Sequence, residues 1–137
     1  RAFFKDFAHS PSKVEATTKA LKSQFKNRKL IALLELHTFS SLNENFINEY
    51  GDTLKSADIK ILFYDPNAVE KKGLKNISEN KIKSAFNDES IYVFSNPDLL
   101  RTFLVEQEYL NSNLLFMSSG NYASLDLEEI KDLVKTN

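Results

Sequence analysis

Three polar stretches of the sequence carry side chains suited to binding nucleotides, carboxylates or amines. The first stretch, residues 5–11, reads Lys-Asp-Phe-Ala-His-Ser-Pro and combines a carboxylate, an imidazole and a hydroxyl. A carboxylate accepts hydrogen bonds from ribose hydroxyls, and an imidazole can pack on a base or donate to a phosphate. Asp6, His9 and Ser10 are therefore candidates for nucleotide contact. The alternative is that Asp6 and His9 only satisfy backbone N–H groups of the turn.

This first stretch lies where a strand is predicted to end and a helix to begin. Apolar residues 2–4 and Phe7 predict the strand, and Pro11 stops it because proline fixes φ and has no N–H. Ser10 then takes the N-cap position, which places free N–H groups and the positive end of the helix dipole beside Asp6 and His9. In an open α/β sheet, ligands bind at this carboxyl end of the strands.

The second and third stretches also follow apolar runs. Residues 35–40, Glu-Leu-His-Thr-Phe-Ser, end a nearly continuous apolar segment that is typical of a strand buried on both faces of a parallel sheet. Residues 118–121, Ser-Ser-Gly-Asn, expose N–H groups and hydroxyls that suit a carboxylate or phosphate, although similar loops are often simple turns. His37 is equally compatible with an ordinary exposed loop. If the preceding strands are parallel neighbours, His37 and Asn121 line one cleft with the first stretch.

Strand and helix patterns alternate along the chain, which indicates how these stretches are positioned. The alternation predicts an α/β fold: a three-layer Rossmann-like sandwich with a mainly parallel sheet of five or six strands and helices on both faces. The apolar run at residues 30–36 is predicted to be a central strand. Capping-box spacing at Ser41 and the apolar stripe behind it predict a second helix that runs to about residue 57. Another helix, with Leu99 on its inner face, is predicted after Asn96.

Composition argues against several classes of partner and site. Lys plus Arg number 18 and Asp plus Glu number 19, so no net field favours nucleic acid or an anionic membrane. The sequence has no cysteine, no apolar run long enough to span a bilayer and no signal segment, which favours the cytoplasm. Only two histidines are present, so a metal site is not expected.

The motifs of ATP chemistry are absent from the sequence. There is no G-x-x-x-x-G-K-[ST] phosphate loop, no G-x-G-x-x-G fingerprint and no set of nucleophile, base and orienting group. No catalytic residue is therefore expected in this chain, which should not turn over ATP by itself. The sequence begins at Arg1, within the approach to a strand, and we expect a domain of a longer protein.

Residues 6–11 resemble the Asp-aromatic-Ala-His-x-Pro signature that opens the C-terminal domain of the Mur ligases, the ATP-dependent amide-forming enzymes of peptidoglycan synthesis and recycling. The second and third stretches are similar to family segments at the expected distances, so the resemblance covers nearly the whole chain. Three departures stand out: Ser10 replaces the usual His or Asn, Leu36 replaces a proline, and Thr38 replaces an arginine that would clamp a carboxylate. The resemblance implies nucleotide contacts at Asp6, His9 and Ser10, and substrate contacts at Glu35, His37, Thr38, Ser118, Ser119 and Asn121.

The resemblance further implies that residues 1–137 form the C-terminal domain of a three-domain enzyme. In such an enzyme ATP phosphorylates a muramyl carboxyl group and an amine attacks the acyl phosphate, with Mg²⁺ and the phosphate loop in the central domain. This domain would close over the ATP and position the amine, together with the N-terminal and central domains and the UDP-muramyl substrate. The third stretch is most similar to the branch that recycles the murein tripeptide L-Ala-γ-D-Glu-meso-diaminopimelate. The L-alanine-adding branch and a noncatalytic Rossmann-like binding module are the alternatives.

Overall fold

A parallel β-sheet forms the centre of the computed structural model, which describes residues 1–38 and 40–136. Phe39 of the second stretch and Asn137 lie outside the described residues. The strands and helices, in chain order, are β1 Ala2–Asp6, α1 Pro11–Gln24, β2 Lys29–Leu36, β3 Ile59–Tyr64, α2 Pro66–Lys71, α3 Glu79–Ala85, β4 Tyr92–Phe94, α4 Pro97–Val105, β5 Ser112–Met117 and α5 Leu127–Thr136.

The sheet has the strand order β1-β5-β2-β3-β4, and every neighbouring pair is parallel. The central position predicted for the apolar run is therefore confirmed, because β2 lies in the middle of the five strands. Successive side chains of a strand point to opposite faces, so only a strand covered on both sides can be apolar at every position. In β2 the residues from Leu30 to Leu36 are all buried, including the charged Glu35.

Two hydrophobic cores cover the two faces of this sheet. On one face Leu30, Ala32 and Leu34 of β2 pack with α1, α2, α3 and the segment between β2 and β3. On the other face Ile31 and Leu33 pack with α4 and α5. This confirms the predicted three-layer α/β sandwich with helices on both faces. None of the described helices is both long and apolar enough to cross a membrane.

The predicted helix from Ser41 to about residue 57 is wrong. The segment consists of turns and one 3₁₀ helix, Phe46–Tyr50. The Asn43 side chain accepts the N–H groups of Asn45 and Phe46, as an N-cap does, but the helix that follows is limited to this one 3₁₀ segment. Gly51, with φ of −49° and ψ of 128°, ends the 3₁₀ segment because that ψ is extended rather than helical, and Asp52 follows with φ of 62°.

The apolar stripe predicted for that helix is nevertheless buried, with Ile47, Tyr50 and Leu54 all in the core. A further correction concerns α4, where Leu99 is 61% exposed and only Leu100 and Leu104 are fully buried on the inner face. Burial was thus predicted better than local conformation in the segment after Ser41, whereas in α4 the helix was predicted correctly and the burial of Leu99 was not. Apolar side chains are driven from water whether the backbone carrying them is helical or not.

Candidate functional site at the carboxyl edge of the sheet

The three polar stretches meet at one edge of the sheet because β1, β5 and β2 are parallel neighbours. Two hydrogen bonds join the first stretch to the loop after β5. The Ser118 N–H donates to the Asp6 carbonyl at 3.1 Å, and the Tyr122 hydroxyl donates to the same carbonyl at 3.2 Å. The ends of β1 and β5 are therefore fixed to each other.

Asp6 and His9 each use one polar atom inside the first stretch. Asp6 Oδ1 accepts the Ala8 N–H at 2.7 Å. His9 Nδ1 lies 2.8 Å from the Phe7 carbonyl, and since a carbonyl only accepts, Nδ1 carries the proton and donates. Within residues 1–38 and 40–136, Asp6 Oδ2 and His9 Nε2 have no hydrogen-bond partner. The alternative that these two side chains only bond to the backbone of the turn, here called the turn interpretation, thus accounts for one polar atom of each. The other polar atom of each remains available to a ligand.

Phe7 is a feature of this corner that sequence reasoning missed, because it was assigned to the strand. The strand ends at Asp6, and Phe7 is 64% exposed. Its ring stands edge-on to the His9 imidazole, with 5.8 Å between the ring centroids. An exposed aromatic ring beside a carboxylate and an imidazole offers a surface on which a flat base can pack.

Ser10 begins α1 through its backbone rather than its side chain. Its φ and ψ are those of an N-cap, and its carbonyl accepts the Val14 N–H at 2.9 Å, but its hydroxyl makes no capping hydrogen bond. The first turn of α1 also contains no acidic residue. The N–H groups at this helix start are thus not capped by a side chain of α1.

A corner depression of about 180 Å³ opens beside this helix start. It brings Ser10 and His9 of the first stretch together with Thr38 of the second. Its other lining residues are Ser40, Phe46 and Tyr50. The Tyr50 hydroxyl donates to the His9 carbonyl, and burial raises the pKa of Tyr50 to about 12. Tyr50 therefore stays protonated at neutral pH and holds the corner in place as a donor.

Glu35 and Ser118 lie beneath the surface of this edge. Glu35 is 3% exposed, and its two carboxylate oxygens accept from the Ser118 hydroxyl and from the Ala123 N–H, the latter at 3.0 Å. Ser118 Oγ in turn accepts the Gly120 N–H at 2.9 Å. The polar atoms of these two predicted substrate contacts are already bonded within the protein, and they tie the end of β2 to the loop after β5.

The loop held by Glu35 contains a left-handed turn. Tyr122, Ala123 and Ser124 have φ values of 56°, 59° and 56°. Left-handed backbone costs an ordinary L-residue roughly 1–2 kcal/mol, and strained backbone of this kind is often found at functional sites. None of the three is Gly, Asn or Asp, so the sequence carried no signal for this turn. The Glu35 carboxylate, by accepting the Ala123 N–H, stabilises it at its central residue.

The remaining predicted residues occupy different positions around the loop. His37 is half-buried with its ring against Gly120, while Asn121 is exposed and donates to Ser124 Oγ at 2.9 Å. Ser119 is half-buried. Asp6 and His9 line different cavities. The cavity lined by Asp6 measures about 280 Å³ and lies on the α1 side of β1. The single cleft predicted for all these side chains is thus divided: His9, Ser10 and Thr38 share one depression, and neither His37 nor Asn121 lines it.

We expect Gly120→Ala to displace His37 while leaving the fold stable. An added Cβ would lie 2.6 Å from the Cγ and Cδ2 atoms of the ring, too close for any contact. Because the ring can rotate away, the free energy of unfolding should change by less than about 1 kcal/mol. NMR shifts of the His37 ring, together with thermal denaturation, measure both effects. Gly51→Ala is the matched control, since its Cβ would meet only backbone oxygens, the nearest at 3.5 Å. Unchanged His37 shifts in Gly120→Ala would contradict the contact.

No family model matches the sequence. The chain is 29% identical, over 139 aligned residues, to the UDP-N-acetylmuramate–L-alanine ligase of Ruthia magnifica subsp. Calyptogena magnifica. That match covers 99% of this chain but only 28% of the ligase.

Two of the solved structures that resemble this one are ligases or parts of ligases by name. The murein peptide ligase of Psychrobacter arcticus superposes with a TM-score of 0.72 at 17% identity, over 98% of this chain and 28% of that one. A Haemophilus ducreyi domain, from a protein designated a UDP-N-acetylmuramate:L-alanyl-γ-D-glutamyl-meso-diaminopimelate ligase, superposes with a TM-score of 0.61 at 22% identity. This second match covers 96% of this chain and 89% of that domain.

The fold is that of a Mur ligase C-terminal domain. The fold that the polar stretches implied is therefore confirmed. At the carboxyl edge of this Mur-type sheet, the departures Ser10 and Thr38 both line the corner depression. Leu36, which stands in place of a proline, is fully buried at the end of β2.

Proposed function

We propose that residues 1–137 are the C-terminal domain of a longer ATP-dependent ligase that joins an amine to UDP-N-acetylmuramate. The observation that carries the proposal is the meeting of three Mur-type stretches at one sheet edge, through the bonds of Asp6 with Ser118 and of Glu35 with Ala123. The sequence match to a curated ligase of this family supports it. The chain spans 28% of that relative, so the nucleotide, the substrates and the other domains of the enzyme are part of the proposal.

In this proposal the first stretch contacts ATP. Asp6 Oδ2 is free to accept a ribose hydroxyl, and His9 Nε2 is free to accept from the base or, when protonated, to donate to a phosphate. Ser10 and the N–H groups of α1 add donors for negative charge. ATP supplies the phosphoryl group that activates the muramyl carboxyl.

Mg²⁺, which would shield the phosphates, is assigned to the central domain of the proposed enzyme. The residues present here do not fit it, because no three His, Cys, Asp or Glu side chains of the described part of the chain are placed to hold a metal. Mg²⁺ prefers near-octahedral oxygen ligands, which this edge does not assemble. The domain's own contribution is to orient the reactants.

The loops after β2 and β5 position the amine substrate. His37, Thr38, Ser119 and Asn121 are the proposed contacts with this substrate, whereas Glu35 and Ser118 support these loops from beneath through their hydrogen bonds. We favour the tripeptide L-alanyl-γ-D-glutamyl-meso-diaminopimelate as the amine substrate, because the third stretch is most similar to the branch that recycles it. L-alanine is the alternative, favoured by the name of the curated relative. A noncatalytic binding module would use the same edge only as a ligand pocket.

The isolated 137-residue chain is expected to show no ATPase or ligase activity, because it has no phosphate loop. A coupled assay for ADP release, run on material of increasing purity, measures this. Addition of the N-terminal and central domains in one polypeptide should restore ligation of the tripeptide to UDP-N-acetylmuramate. ATP turnover that persists unchanged through purification of the isolated chain would contradict the assignment.

A further inference from the structure

We infer that a groove running from the corner depression to Lys75 binds the distal part of an extended peptide, whose last residue carries both an ammonium and a carboxylate. The inference rests on the proposed function, since it concerns the amine substrate of the same edge. The groove lies on the β3 side of that edge, away from His37 and Asn121.

Three adjoining depressions make the groove continuous. The corner depression shares Ser40 and Phe46 with a middle depression of about 450 Å³. The middle depression shares Asn43 and Asn45 with an outer one of about 270 Å³, whose far wall includes Lys75. Pockets that enclose drug-sized ligands measure about 300–1,000 Å³, so the corner depression of 180 Å³ alone is small for a peptide. The middle and outer depressions provide the additional length.

Asparagine side chains give the middle of the groove its hydrogen-bonding character. Asn43 Oδ1 accepts the N–H groups of Asn45 and Phe46 at 2.9 and 3.1 Å. Those two donors fix the orientation of the amide, so Nδ2 is left as a donor. Within residues 1–38 and 40–136, neither that Nδ2 nor the Asn45 side chain has a hydrogen-bond partner. The middle of the groove therefore presents free amide donors, which suit peptide carbonyl and carboxylate oxygens.

Lys75 is held in place by the end of α2. Gly73 has φ of 70°, and its N–H donates to the Glu70 carbonyl at 2.9 Å, while the Leu74 N–H donates to the Val69 carbonyl at 3.1 Å. This pair of bonds is the Schellman arrangement, in which a left-handed glycine ends the helix. Leu74 also packs against the core. The backbone that carries Lys75 is consequently ordered, although the side chain itself is exposed.

The outer depression combines opposite charges. Lys75 and Glu44 both line it, and in the described ranges neither has an ion-pair partner. In comparison, Lys22 and Lys60 pair with Asp58 and Asp88. An unpaired cation and an unpaired anion in one depression are complementary to the ammonium and carboxylate of a free amino-acid group. The distal residue of a tripeptide ending in meso-diaminopimelate carries such a group.

The test uses the full-length enzyme with two acceptors, L-alanyl-γ-D-glutamyl-meso-diaminopimelate and its analogue with L-lysine in the third position, which lacks the second carboxylate of that residue. We expect Lys75→Ala to raise KM for the diaminopimelate tripeptide about ten-fold, because the variant loses one charge-assisted hydrogen bond to the substrate. The KM for ATP should not change, and the preference over the lysine analogue should fall. Lys55→Ala is the matched control, an exposed lysine just before β3 and outside the groove.

If the wild-type enzyme is active and Lys75→Ala leaves the KM for the tripeptide unchanged, the peptide does not bind in this groove. The proposed function is not affected by that result. If the wild-type enzyme ligates no amine, the proposed function is wrong. An NMR titration of this chain with the free tripeptide then tests whether the groove binds the peptide. Shifts at Asn43, Asn45 and Lys75 that disappear in Lys75→Ala would support it. A titration to millimolar tripeptide without such shifts would overturn it.

Discussion

Glu35→Ala is expected to lower the free energy of unfolding by about 3 kcal/mol, because it leaves two buried donors without an acceptor. Those donors are the Ser118 hydroxyl and the Ala123 N–H. Loss of the second bond also removes the contact that stabilises the left-handed turn at residues 122–124. Urea denaturation of the 137-residue chain measures the stability change, and NMR shifts of the loop amides report the turn.

Glu35→Gln separates this structural role from a direct contact with substrate. A glutamine can accept the Ala123 N–H through its oxygen and donate to Ser118 Oγ through its nitrogen, which leaves only the Ser118 hydroxyl proton without its acceptor. The free energy of unfolding should therefore fall by about 1 kcal/mol, clearly less than in Glu35→Ala. In the full-length ligase the alanine variant should raise KM for the amine, whereas the glutamine variant should restore it. A glutamine variant that is stable but has lost amine binding would instead show that the carboxylate charge contacts the substrate. An alanine variant as stable as wild type would contradict the buried network.

Asp6→Asn in the full-length enzyme is expected to lower kcat/KM for ATP about 10- to 100-fold. The substitution removes a charged acceptor, and a hydrogen bond to a charged group contributes about 1.5–3 kcal/mol. The substitution keeps the Oδ1 acceptor that bonds the Ala8 N–H at 2.7 Å, so the turn is preserved. The KM for the UDP-muramyl substrate should change little, since the proposed contact is to the nucleotide. Steady-state kinetics with ATP and the muramyl substrate varied in turn measure the difference.

Asp132→Asn is the matched control for Asp6→Asn, because Asp132 is an exposed carboxylate on α5 away from the first stretch. His9→Ala should resemble Asp6→Asn if both side chains contact ATP. If both variants keep the wild-type kcat/KM for ATP, the turn interpretation is correct and the two residues only complete the backbone hydrogen bonding of the corner.

The sequence by itself determined the class of fold and several of its helix starts. The apolar run at residues 30–36 was sufficient to predict a central, doubly covered strand, because no other environment accepts an apolar side chain on both faces. The helices predicted after Ser10 and Asn96 begin at Pro11 and Pro97, and the Asn96 side chain accepts two N–H groups of its first turn. These features depend on neighbours in sequence, so local patterns report them.

The tertiary structure decided what happens where distant segments meet. Sequence order placed Glu35 beside a loop edge as a possible ligand, but the loop after β5 covers it and takes up both of its oxygens. The left-handed turn at residues 122–124 had no local signal, because its residue types disfavour that conformation and a carboxylate 88 positions away in the sequence stabilises it. The outer depression with Lys75 likewise lies between the turns that replace the helix predicted after Ser41 and the segment that follows α2. Such contacts join residues far apart in the chain, and their energies therefore cannot be inferred from any local pattern.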